Sequence, residues 1–148
     1  MRRVLATATA TAAVLFGTAL MPTAATAHPT DRQRCTPVRS TVGFYEAGVV
    51  ATEEMTVPAN PRCTTISVSH IRDPRVPGDH CQTFYVGFWP VGSDGSLTYT
   101  DRIEACAAPG DKPVVIATNV PDGARFIVLY QIDYNDPEVQ NIRFSIWR

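Results

Sequence analysis

The chain reads as all-β: a two-sheet antiparallel β-sandwich of about seven to eight strands, Greek-key or immunoglobulin-like, stapled by two disulfides. Three observations predict this. Beyond residue 27 no stretch sustains apolar residues at i, i+3, i+4 and i+7; short β-branched and aromatic runs recur instead between Pro, Gly, Asn and Asp. The four cysteines, Cys35, Cys63, Cys81 and Cys106, make an even set. In one pair of runs, turn residues, apolar residues and cysteines all select the same antiparallel register.

The first 27 of the 148 residues look removable. Met1-Arg2-Arg3 is a short basic start, 4–20 is an uncharged Ala/Thr/Leu run, and Ala25-Thr26-Ala27 ends a small-residue tail. That order suits a secretory signal peptide. The apolar run is diluted by threonine and shorter than the ~20 residues a membrane span needs. We therefore expect a secreted, extracellular protein with no membrane span in its mature form, a flexible segment over 28–34 and a single sandwich domain over 35–148. Arg2 and Arg3 leave with the leader, so 13 basic residues fall to 11 against 14 acidic, a net charge of −3. This excludes a generic basic nucleic-acid binder. At 45% hydrophobic and 18% charged, a solvated disordered chain is excluded too. Lys112 is the only lysine against 12 arginines, a codon signature of a GC-rich bacterial genome.

Strands are expected, in order, near 37–46, 49–57, 63–72, 81–91, 96–106, 113–120, 125–134 and 140–148. Each gap carries turn chemistry, among them Pro58-Ala59-Asn60-Pro61, Gly92-Ser93-Asp94-Gly95, Pro109-Gly110-Asp111, Pro121-Asp122-Gly123 and Asn135-Asp136-Pro137. Directly opposed residues of an antiparallel pair have numbers that sum to a constant. Centring a turn on 92–95 sets that constant at 187. Phe84 then faces Ile103, Phe88 faces Tyr99 and Val86 faces Asp101 on the core side. Tyr85 meets Arg102, Trp89 meets Thr98, Thr83 meets Glu104 and Cys81 meets Cys106 on the other. The expected bridges are therefore Cys81–Cys106 and, by elimination, Cys35–Cys63. An inter-sheet Cys63–Cys106 bridge of the immunoglobulin kind is the rival. A constant of 99 pairs Val42 with Val57 and Phe44 with Met55, with a bend needed near Pro58. A constant of 274 pairs Ile132 with Ile142, Tyr130 with Phe144 and Val128 with Ile146.

Four constellations bear on function. No G-x-S-x-G motif is present, and two bridges would consume every thiol. Cleavage after Ala27 would expose His28, whose amine and ring could chelate copper with His70 or His80 completing the site. This resembles the copper brace of lytic polysaccharide monooxygenases and of periplasmic copper-carrier proteins, and the resemblance implies copper binding or copper oxygenase chemistry. The ordinary explanation is a processing site that happens to precede histidine. Asp133, Asn135, Asp136 and Glu138 put four oxygen donors in six residues, a calcium pattern that ordinary turn chemistry also explains.

The fourth constellation is the outward face of the 81–106 hairpin, where Tyr85, Trp89, Arg102 and Glu104 share a surface beside a disulfide. Tyr, Trp and Arg are the residue types of sugar-stacking platforms and protein hot spots. A cover of residues 28–40 would make the same aromatics plain packing. Taken together these features describe a small, non-enzymatic binding protein without a cofactor, its partner an extracellular protein or polysaccharide. The layout resembles the small disulfide-stapled enzyme inhibitors that soil bacteria secrete. A structural cell-surface component is the remaining alternative.

Overall fold

The computed structural model describes residues 35–90, 95–132 and 141–148. Among them there is no helix. The strands are β1 (Pro37–Arg39), β2 (Val42–Glu46), β3 (Val49–Thr52), β4 (Met55–Thr56), β5 (Thr65–Arg72), β6 (Cys81–Phe88), β7 (Thr98–Tyr99), β8 (Ile103–Cys106), β9 (Val114–Thr118), β10 (Arg125–Gln131) and β11 (Arg143–Trp147). A four-stranded sheet runs β1-β11-β5-β9 and a seven-stranded sheet runs β2-β3-β10-β6-β7, with β4 on β10 and β8 on β6. Every pairing is antiparallel.

Three of the expected ribbons are interrupted, becoming β1/β2, β3/β4 and β7/β8. Counted as eight ribbons, the sheets read 1-8-3-6 and 2-7-4-5, with the first ribbon crossing from one sheet to the other at Ser40-Thr41. Within the Greek-key class this refines the expectation to a jelly-roll order, distinct from the immunoglobulin order. Alternate residues of both sheets point inward and form one core: Val50, Phe84, Val86, Phe126, Val128 and Tyr130 from one side, Val68, Ile71, Ile116, Phe144 and Ile146 from the other. Phe144 packs 4.8 Å from Phe84 and 5.8 Å from Tyr130, centroid to centroid.

Both expected disulfides form, Cys35–Cys63 and Cys81–Cys106, and no described cysteine is free. The first ties the start of β1 to the loop before β5. The second joins directly opposed residues of β6 and β8. Closing loops with sequence separations of 28 and 25 stabilises by about 3 kcal/mol each in the chain-entropy picture.

The 187 register holds for Cys81↔Cys106, Thr83↔Glu104 and Phe84↔Ile103, then slips by one to Gly87↔Tyr99 and Phe88↔Thr98. Phe88–Tyr99 and Trp89–Thr98 are therefore not directly opposed. One extra residue sits within 100–102, and the Thr100 hydroxyl accepts the Val86 N–H at 2.9 Å, satisfying a donor that the bulge would orphan. The same device recurs between β3 and β4, where Thr52 Oγ1 accepts the Val128 N–H at 3.0 Å.

Two other registers are corrected. Strands β2 and β3 pair as Phe44↔Ala51, Tyr45↔Val50 and Glu46↔Val49, a sum of 95 and not 99. They join through a two-residue turn in which Ala47 (φ 51°) and Gly48 (φ 79°) both take positive φ, the requirement of a type I′ hairpin. The pairing steps at Gly43, where a Cβ would lie 2.7 Å from the Thr52 carbonyl oxygen. Residues 55–56, expected opposite β2, pair β10. The 274 hairpin does not form, because β10 and β11 belong to different sheets. Tyr130 and Phe144 do meet, but across the sandwich and not along a ladder.

Candidate binding face

The outward side of the seven-stranded sheet has a buried apolar floor. Ala51, Ile127 and Leu129 are at most 4% exposed, although they point away from the main core. They are roofed by neighbouring strands: Tyr85, with half-buried Val49, Trp89 and Leu97, packs into the same cluster. Register explains the grouping. Leu129 is opposed by Ala51 on one side and Tyr85 on the other, and Ile127 by Gly87. Directly opposed residues share a face.

Gly87 and Tyr99 form the next row. A Cβ at Gly87 would lie 3.1 Å from Tyr99 Cε1, 3.3 Å from Ile127 and 3.4 Å from Leu129, so the Tyr99 ring fills the space over the glycine. Its centroid is 5.9 Å from that of Tyr85 and it remains 54% exposed. At the β2 edge Phe44, opposed to Ala51, is 48% exposed.

Guanidinium groups sit against both inner aromatics. Arg102 lies 5.4 Å from the Tyr85 ring centre and donates to Gln131 Oε1 at 3.2 Å. Arg125 lies 5.2 Å from the Trp89 ring centre and donates to Glu54 through two contacts of 2.6 and 3.0 Å. Burial raises the Tyr85 phenol above its ordinary pKa; Arg102 opposes that rise and Tyr99 adds to it. The phenol is therefore a neutral donor at any physiological pH.

The expected face thus brings Tyr85, Trp89 and Arg102 together, with Glu104 exposed at the disulfide end opposite Thr83. It also includes Tyr99, Leu97 and Phe44, which the uninterrupted register did not assign to it. Strand β1 lies in the other sheet, on β11, so residues 37–39 do not cover this face.

The metal alternatives are placed as follows. His70 Nδ1 is hydrogen-bonded to Ser69 Oγ and His80 Nδ1 to the Ile71 carbonyl, both at 2.7 Å. Among the described residues no group of three or more His, Cys, Asp or Glu side chains is arranged to hold a metal ion. His28 and the calcium candidates Asp133, Asn135, Asp136 and Glu138 lie outside the described residues. No described helix is long and apolar enough to cross a membrane. No protein family, curated protein or solved structure matches this chain.

Proposed function

We propose that this chain is a secreted, non-enzymatic binding protein and that the outward face of its seven-stranded sheet docks an extracellular protein. The observation that carries this reading is the exposure of Tyr99 and Phe44 above a buried apolar floor, flanked by Arg102 and Glu104. Rigid aromatics over a desolvated layer with a charged rim are the anatomy of a protein hot spot. A polysaccharide is the weaker occupant. Sugar stacking needs open ring faces, and Tyr85 and Trp89 already have a guanidinium against them. The two disulfides suit an oxidising compartment, as export by the 1–27 leader would require.

The test compares the wild-type chain with Tyr99→Ser/Phe44→Ser as baits for proteins of the producing culture's supernatant. A stoichiometric protein partner that the wild type retains and the double variant loses, at equal thermal stability, supports the reading. Retention of both chains alike, or retention on polysaccharide columns abolished by the same double substitution, overturns it. N-terminal sequencing of exported protein checks cleavage after Ala27.

A further inference from the structure

We propose that the outward face of the four-stranded sheet, on the opposite side of the molecule from the aromatic face, carries a binding site for a tetrahedral oxyanion, a phosphate or sulfate group free or on a small molecule. A cleft of about 530 Å³ there is lined by Arg39, Ser40, His70, Arg72, Arg143 and Ser145, together with Phe144. That volume suits a small ligand. Three permanent cations and an imidazole line it, and among the described residues no carboxylate does, in a chain of net charge −1.

Two features show that this concentration runs against the fold's own preferences. Arg143 and Arg72 are directly opposed on β11 and β5, where like charges repel. Among the described residues neither they nor Arg39 is ion-paired to a carboxylate. The register then steps between Arg143 and Ser145, and His70 in the bulge on β5 takes φ 56°, a conformation that non-glycine residues adopt at a cost. The bulge presents the His70 ring, which is exposed, to the cleft.

The ring is also held. Trp147 Nε1–H donates to Ser69 Oγ at 2.7 Å, leaving the serine hydrogen for His70 Nδ1 at 2.7 Å. In that tautomer Nε2 carries a hydrogen to donate outward. Among the described residues, carboxylates line the adjoining cleft of about 410 Å³, where Asp73 accepts the Arg75 and Val76 N–H groups and Asp79 the Cys81 N–H. A carboxylate ligand would answer one of the three guanidinium charges. A phosphate or sulfate group offers three or more oxygens, and a phosphate monoester close to two charges, matching the fork geometry of arginine.

The experiment titrates the full exported chain with inorganic phosphate, inorganic sulfate, glucose 6-phosphate and glucose at constant ionic strength, by calorimetry and by the Trp147 indole N–H resonance. Saturable binding of glucose 6-phosphate, with a tenfold or greater loss in Arg143→Gln and in Arg39→Gln, supports the site. Equal affinity for inorganic phosphate would assign it to the free ion, and tighter binding of the ester to a phosphorylated small molecule; both sustain it. Arg143→Gln should also leave the melting temperature unchanged or higher, since it relieves the Arg72 repulsion, so lost binding cannot be lost folding. Non-saturating responses to every anion, equal binding of glucose, or unaltered affinity in both variants would overturn it. Tyr99→Ser must leave this binding unchanged.

Discussion

Raising the pH through the range where Tyr130 ionises tests the core directly. The ring is 1% exposed, lies between Phe84 and Phe144, and its hydroxyl oxygen is hydrogen-bonded to the Ile142 backbone. Burial pushes the phenol from its ordinary value near 10 up to about 12, a rise that the Ile142 bond only partly opposes. A folded state with the higher pKa holds its proton more tightly than the unfolded chain. Its contribution is therefore complete below pH 10 and is lost as pH climbs towards 12. Linkage puts the loss at about 1.4 kcal/mol by pH 11 and about 2.3 kcal/mol by pH 12.

Tyr130→Phe removes the titrating group and leaves the Ile142 N–H without its acceptor, costing about 1–3 kcal/mol at neutral pH. The variant should start less stable yet lose less above pH 10, so the two curves converge, crossing near pH 11 for a cost of about 1.4 kcal/mol and near pH 12 for about 2.3 kcal/mol. Urea denaturation followed by far-ultraviolet circular dichroism at half-unit steps from pH 8 to 12 reads both. Parallel curves for the two proteins would refute the assignment, because the alkaline loss would then belong to other groups.

Three further outcomes follow from packing. Gly43→Ala drives a Cβ against backbone atoms of Thr52 and Glu53, which cannot rotate away, and should cost about 1–3 kcal/mol and loosen β2, read as faster amide exchange at 42–46. Cys81→Ala/Cys106→Ala should lower stability by about 3 kcal/mol while keeping the β6–β8 pairing, read by denaturation and cross-strand nuclear Overhauser contacts. Trp89→Ala should cost roughly 2 kcal/mol, below the 3–5 of a fully buried ring, since Trp89 is half-buried and packed against the Ile127 cluster.

Much of this architecture was legible before any coordinates. Alternation placed the strands, and coincident cysteine and apolar pairing chose Cys81–Cys106, since a one-residue slip there would have separated Thr83 from Glu104 as well; Cys35–Cys63 followed by elimination. What alternation cannot distinguish is a partner beside a strand from a partner across the core. Tyr130 and Phe144 satisfy either geometry, which is why their contact was foreseen and its nature was not. The missed bulges left a different trace. In an uninterrupted register Asp101 falls opposite Val86 on the core side, a charged residue where none belongs; the bulge lets it stay in solvent. Glu53-Glu54 interrupts the 49–57 run in the same way. Each is preceded by a threonine whose hydroxyl replaces the missing backbone acceptor, and that pairing of threonine with a misplaced acid was the signal available. The Ala47-Gly48 turn had a weaker trace, since alanine rarely accepts positive φ. The arginine cleft had none, because Arg39, Arg72 and Arg143 lie on three strands brought together only by the sheet order.

The bulge at 100–102 also decides what the aromatic face is. Without it Tyr99 would turn inward opposite Phe88, and of the hairpin's own rings the outward side would carry Tyr85 and Trp89, each with a guanidinium against it. By moving the turn end of the hairpin one residue out of phase, the extra residue transfers Tyr99 to the outside and sets it over Gly87, where no side chain competes for the space. The cost of that transfer is small, because Thr100 repairs the hydrogen bond and the Tyr99 ring packs over Gly87 beside Tyr85. A ring that shields a buried floor while half exposed loses little freedom when a second surface closes over it, and low ordering cost is what separates a hot spot from an equally large patch of flexible side chains. The register slip thus supplies the proposed docking surface with its central ring.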